Sequence, residues 1–283
     1  MKKMWQDSKL ERNSRFGVEN IYNSGQSGFQ LEFHSGCTLA PKFIKNVESI
    51  VQSTSATTHS YTIQPTISAD GRLLSPLFIV LKEITGTFSP RVQETLFNAS
   101  NIFVTASKSG KLTSNHVKTW LKEVFFPNVG PQSVLLLDSW SGHCPKIVSE
   151  TKPDSATDIV FLTIPAGTTG KIQPLDVYGF RLWKNFIKYF SDTIMLLDLA
   201  LDLHNRNNIL KLQSLTHHQS RHPGFKIYLN MRGLIASSTG KNSHSVPPSF
   251  SVFWWDNTKL HQFRTLNGIH LKTFKKVLRK SGK

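Results

Sequence analysis

The sequence predicts an α/β domain: a mixed sheet with an antiparallel N-terminal meander, two parallel strands, and helices on both faces. Three observations carry this expectation. Tyr61 to Ile67 and Leu73 to Leu81 are apolar runs joined by Ala69-Asp70-Gly71, and an Asp-Gly pair between two such runs is a strong hairpin signal. Phe29, Leu31 and Phe33 alternate with Gln30 and Glu32, the period of a half-buried strand. Val134-Leu135-Leu136-Leu137, a helical stretch from Cys144 to Thr151, and Ile159 to Ile164 form a strand–helix–strand unit, whose strands are expected to be parallel.

In chain order, residues 1–17 are polar and basic and read as a linker or the trimmed end of something longer. A strand is expected from Val18 to Asn23, interrupted by Ser24-Gly25-Gln26-Ser27-Gly28, and a second from Phe29 to Phe33. Residues Ser53 to Ser60 are rich in Ser and Thr and carry no periodic signal. Pro65 and Pro76 argue for edge positions or bulges in the hairpin, because proline cannot donate to a strand ladder. A short helix over Arg91 to Phe97 precedes a strand at Asn101 to Thr105. Thr113 or Ser114 can cap a helix that runs to Phe125 and is stopped by Pro127. After Asp176 a helix places Phe180, Trp183, Ile187 and Phe190 in one sector at about 100° per residue; Arg181, Lys184 and Lys188 fall together in another. Ile194 to Leu203 reads as another helix, continued over Asn208 to Leu215. Beyond His218 no periodicity is legible, and His217, His218 and His222 read as solvent-exposed loop residues. Domain boundaries are therefore expected at 1–17, 18–215 and a basic segment 216–283.

The composition, with 39% hydrophobic and 18% charged residues, excludes disordered and fibrous classes. The basic N-terminus has no apolar run of the secretory kind, and runs such as Leu77 to Leu81 are too short to cross a bilayer. With only Cys37 and Cys144, a disulfide scaffold is not expected and a reducing compartment is. The formal charge is +16, yet residues 203–283 carry 14 of the 34 Lys and Arg against one of the 18 Asp and Glu. A phosphate backbone is the natural partner of such a segment; so sharp a shift also fits sequence no longer under selection for a fold. Trp254 and Trp255 in that segment can be read as base-stacking rings or as local packing.

Chemistry is concentrated between Val134 and Asp176. A buried strand delivers Asp138 at its C-terminal edge, where open α/β sheets place their ligands. A Gly/Thr-rich loop ends in Pro174 and starts the helix whose first turn holds Asp176. By helical angle Asp176 falls in the apolar sector, towards the sheet, where a carboxylate needs a partner. Asp138 with a divalent cation is one; stabilisation by the helix dipole is the alternative. His143 and Cys144 beside Asp138 read as structural or substrate-lining residues, since consecutive residues in a tight loop rarely reach one ion.

Several motifs together resemble the catalytic domain of the pogo/Tigger-like transposases of the DDE superfamily. They are Asn20-Ile21-Tyr22-Asn23 with Gln26 to Gln30, His59 to Pro65, Ser68-Ala69-Asp70-Gly71, Leu135 to Asp138 with Gly142-His143, and Ile164 to Gly170 running into Gln173-Pro174-Leu175-Asp176. The resemblance spans roughly residues 18–215 and implies an RNase H-like (retroviral-integrase-like) fold. It also implies three carboxylates holding two Mg²⁺ or Mn²⁺ ions for phosphodiester cleavage and strand transfer. Asp138 matches the second acid and Asp176 the third. The position of the first, just before Gln26, is occupied by Gly25. Glu19 and Glu32 are the nearest carboxylates in sequence, and Glu32 is expected on the polar face of its strand.

What the resemblance implies is thus a transposase-derived nucleic-acid-binding protein whose endonuclease is impaired by Gly25. DNA would be met by Arg181, Lys184 and Lys188 and by Lys272, Lys275, Lys276, Arg279 and Lys280. Two alternatives stand beside it: an active Mg²⁺-dependent endonuclease with a substitute ligand, and a non-functional remnant of a mobile element. Family members recognise transposon ends through an N-terminal helix-turn-helix region; with about 17 residues before the match, sequence-specific docking is expected to be missing. Multimers on paired DNA ends imply a homo-oligomer. The DNA partner and the pairs Lys275-Lys276 and Arg279-Lys280 imply the nucleus.

Overall fold

A computed structural model describes residues 16–32, 42, 52–53, 60–143, 145–153, 158–196 and 198–221. The basic residues Lys272 to Lys280, the Trp254-Trp255 pair, both cysteines and His222 lie outside them.

The expected α/β architecture is present. After a 3-10 turn at Val18–Asn20, β1 (Ile21–Ser24) and β2 (Ser27–Gln30) are two halves of one strand line broken at Gly25-Gln26. β3 (Ser60–Gln64) and β4 (Thr66–Ser68) are likewise broken at Pro65, which has no N–H to give the ladder. β5 (Leu77–Lys82), α1 (Pro90–Thr95) and β6 (Ile102–Ser107) follow. α2 (Ser114–Trp120) continues through a π-helical turn, and then come β7 (Val134–Leu137), α3 (Pro145–Thr151) and β8 (Val160–Thr163). α4 (Thr169–Ile172), a second π-helical turn (Leu175–Gly179), α5 (Phe180–Leu196) and α6 (Arg206–Ser220) complete the described chain.

Strand order is β4-β1-β7-β8 in one sheet and β2-β3-β5-β6 in the other. The broken strand lines join them edge to edge, so the order across both is β6, β5, β3/β4, β1/β2, β7, β8. β1 to β5 pair antiparallel, whereas β7 is parallel to β1 and β8 to β7. This is the RNase H-like arrangement, with one more strand, β6, parallel to β5.

Strand alternation distributes the core. Leu135 and Leu137 of β7 point to a cluster with Tyr22, Phe78, Val80, Val117, Trp120 and Phe125; Val134 and Leu136 point to another with Phe16, Ile21 and Ile164. β7 is therefore buried on both faces, as its unbroken apolar run requires. Burying each such side chain stabilises by about 1.5–3 kcal/mol. On the face opposite the larger cluster, α5 and α6 are tied to the sheet by a buried relay. Trp183 Nε1 donates to Gln213 Oε1 (2.8 Å), and Gln213 Nε2 donates to the Tyr61 hydroxyl (2.5 Å).

Four local expectations are corrected. The chain enters β1 through a 3-10 turn at Val18–Asn20 and is not extended there. The strand expected from Ile159 to Ile164 is shorter: β8 covers Val160–Thr163 and is an edge strand among the described residues, with Ile159 and Ile164 buried on either side of it. Ile194 to Leu196 end α5, and Asp198, with φ 45°, turns the chain out of the helix, so no separate helix spans Ile194 to Leu203. His217 is no loop residue; it is fully buried in α6, with Nε2 bonded to the Leu74 carbonyl at 2.8 Å. Its neighbour His218 is exposed. Among the described residues no helix is long and apolar enough to cross a membrane.

Candidate functional site

Asp138 stands one residue beyond β7, at the C-terminal edge of the parallel strands. Its Oδ1 accepts the Trp140 backbone N–H at 3.1 Å and the His143 Nδ1–H at 2.7 Å, because an ionised carboxylate can only accept. Burial alone would raise this carboxyl; the hydrogen bond from His143, its attraction, and the Trp140 N–H outweigh that and hold it below its usual range. His143 is buried, meets the Trp140 ring edge-on at 5.1 Å, and leaves its Nε2 without a hydrogen-bond partner. Gly142 makes the arrangement feasible, since a Cβ there would overlap the Trp140 ring.

Asp176 lies in the π-helical turn before α5. It does not face the apolar side; it is exposed. The projection at 100° per residue fails here because a π turn is wider than an α turn and shifts the phase of everything N-terminal to it. Its carboxyl is raised by partial burial and then by the negative charge of Asp138, with Lys184 opposing. The two acids therefore lie within electrostatic reach and ionise in sequence, Asp138 first and Asp176 against its field.

Gly25 lies at the break between β1 and β2 and packs against the segment that precedes α5. An added Cβ would fall 2.5 Å from Gln173 Nε2 and 3.6 Å from the Phe180 ring. Gln173 is fully buried, donates from Nε2 to the Ser24 carbonyl at 3.2 Å, and has its Oε1 unpartnered. The break between β1 and β2 is thus filled by an amide reaching back from three residues before Asp176. Sequence reading names Gln173 only as part of a motif; nothing in its position signals that it would occupy the space beside Gly25.

The described residues do not fit a two-ion centre. Among them no three His, Cys, Asp or Glu side chains gather where they could hold a metal ion. Neither neighbouring glutamate compensates. Glu19 sits before β1, at the opposite end of that strand from Gly25. Glu32, expected on a polar face, is buried, and its two oxygens accept the backbone N–H groups of Gln52 (2.7 Å) and Ser53 (3.1 Å).

The basic residues of α5 diverge in environment. Arg181 is exposed, while Lys184 and Lys188 are half-buried. Lys184 Nζ lies 5.5 Å from the centre of the Phe29 ring; burial and then Lys188 lower its proton affinity, and Asp176 raises it.

Residues 62–220, more than half of the chain, match the family described as DDE superfamily endonuclease; the matched span contains Asp138 and Asp176 and begins after Gly25. No curated protein matches. The solved structures that are similar include three of one transposase. The Mos1 mariner paired end complex with Mn has 11% identity and TM-score 0.40, over 77% of this chain and 60% of that one. The Mos1 transposase paired-end complex with left transposon end has 13% identity and TM-score 0.36, over 77% and 57%. The Mos1 strand transfer complex has 12% and 0.42, over 77% and 59%. The chain thus spans at most 60% of the length of these structures. With the family match running from β3 to the end of α6 and enclosing both acids, this chain belongs to the DDE superfamily endonucleases.

Proposed function

We propose that this protein is a transposase-derived, pogo/Tigger-like nucleic-acid-binding protein whose endonuclease centre is impaired because Gly25 stands where the first metal-binding Asp belongs. The observation that carries this reading is the packing at Gly25: the Gln173 amide fills the space a carboxylate there would need, and Asp138 and Asp176 are two acids within electrostatic reach of each other. Two carboxylates, one of them with an oxygen already committed to two N–H groups, would hold Mg²⁺ or Mn²⁺ weakly. Binding to DNA is assigned to Arg181, Lys184 and Lys188 and to the basic segment with Lys272, Lys275, Lys276, Arg279 and Lys280, in a nuclear and oligomeric setting.

Two measurements test the reading. Affinity for a mixed-sequence duplex should fall steeply as salt is raised from 50 to 200 mM, as counterion release requires; a salt-independent affinity removes the DNA assignment. In a plasmid-nicking assay with Mn²⁺, the native chain and Asp138→Ala should both be inactive. Nicking by the native chain that disappears in Asp138→Ala would establish a working endonuclease with a substitute ligand instead.

A further inference from the structure

The outer face of α5 and of the π turn before it is unusual for the solvent side of an amphipathic helix. Phe180, Trp183, Ile187, Ser191 and Ile194 are buried against the domain, and the opposite stripe is Tyr178, Arg181, Asn185 and Tyr189, all exposed. Tyr178 and Tyr189 keep 51% and 50% of their surface open. Lys184 and Lys188 border the stripe along one side, while Asp176 and Asp192 stand at its two ends. Helical rise puts the two tyrosines about 16 Å apart.

We propose that this stripe is a track for a single nucleic-acid strand, with Tyr178 and Tyr189 stacking on unpaired bases and Arg181, Lys184 and Lys188 holding the phosphates between them. The proposal rests on the nucleic-acid reading above and adds to it the class of strand recognised. A tyrosine face satisfies any base, because every base has a π surface, whereas the bases of a duplex are stacked on one another and present only their edges. Three cations between and beside the rings select a polyanion over a neutral partner. The Asp176 end of the track adjoins the two acids, so a strand lying along it runs from the candidate centre outwards.

The test uses the full chain and fluorescence anisotropy with three probes: a mixed-sequence 12-nucleotide DNA strand, its duplex, and a strand of the same length with abasic sites. The variants are Tyr178→Ala/Tyr189→Ala, Tyr178→Phe/Tyr189→Phe and Arg181→Ala. The alanine pair should weaken binding of the normal strand by about tenfold for each tyrosine lost, leave the duplex within about twofold, and leave the abasic strand unchanged. The phenylalanine pair should bind like the native chain, because the ring alone stacks. Arg181→Ala should weaken all three probes alike. If the alanine pair loses as much on duplex and abasic strand as on the normal strand, or loses nothing on any, the track is refuted while DNA binding stands. If the native chain binds no probe at low salt, both the track and the nucleic-acid reading fall.

Discussion

Replacing Gly25 by aspartate asks whether only a ligand is missing, and the structure sets the size of the answer. The new Cβ would sit 2.5 Å from Gln173 Nε2, so the amide must leave a position in which no part of Gln173 reaches solvent. Overpacking of this kind costs roughly 1–3 kcal/mol. The displaced amide also gives up its bond to the Ser24 carbonyl, worth about 1 kcal/mol. Without divalent metal, Gly25→Asp should therefore be less stable than the native chain by about 2–4 kcal/mol, before any repulsion from Asp138 and Asp176. With a urea m-value of roughly 2–3 kcal/mol/M, the midpoint should fall by about 1 M in EDTA. Manganese should return part of the loss in the variant alone: a free concentration about a hundred times the dissociation constant is worth about 2.7 kcal/mol. Circular dichroism in urea, with EDTA or MnCl₂, reads both effects. A Gly25→Asp chain as stable as the native one in EDTA would show that Gln173 does not fill the site. A native chain stabilised by manganese as strongly as the variant would show that Gly25 is not the deficiency.

Other consequences are as definite. Burial lowers the pKa of His217 to about 4, against 6.5 ordinarily. The unfolded chain therefore binds more protons between those values, and the domain should lose about 3 kcal/mol as pH falls from 6.5 to 4, with nothing further lost above 6.5. His217→Asn should be less stable at pH 7 and should flatten that dependence; an unchanged slope would locate the acid sensitivity elsewhere. Gly142→Ala drives a methyl group into the Trp140 ring and should destabilise by roughly 1–3 kcal/mol. By loosening the ring that backs His143 it should also raise the Asp138 pKa, visible in a carboxyl-carbon NMR titration; an unshifted titration would mean that Trp140 does not position His143.

The sheet was legible because its signals are local. An Asp-Gly turn, a four-residue apolar run ended by Asp138, and prolines that break strand lines act within a few residues of themselves, and β3, β6 and β7 lie close to where they were expected, whereas β2 runs over Ser27–Gln30 and not from Phe29 to Phe33. Misreadings arose where neighbours in space decide. His217 looks polar in sequence and is buried because the Leu74 carbonyl supplies a partner from a distant element. Glu32 sits in an alternating pattern that puts it outside, yet two backbone N–H groups from Gln52 and Ser53 compensate its burial. The outward turn of Asp176 depends on a π-helical turn, a register that periodicity at 3.6 residues cannot contain.

By itself the sequence determined the fold class and the strand end that carries Asp138, because composition and short-range pattern are properties of the chain alone. Only the tertiary structure decided what packs beside Gly25. The Gln173 amide reaches the break between β1 and β2 across 149 residues of sequence, and no local pattern encodes which side chain will fill a space that exists only once the sheet and the α5 end of the chain have come together.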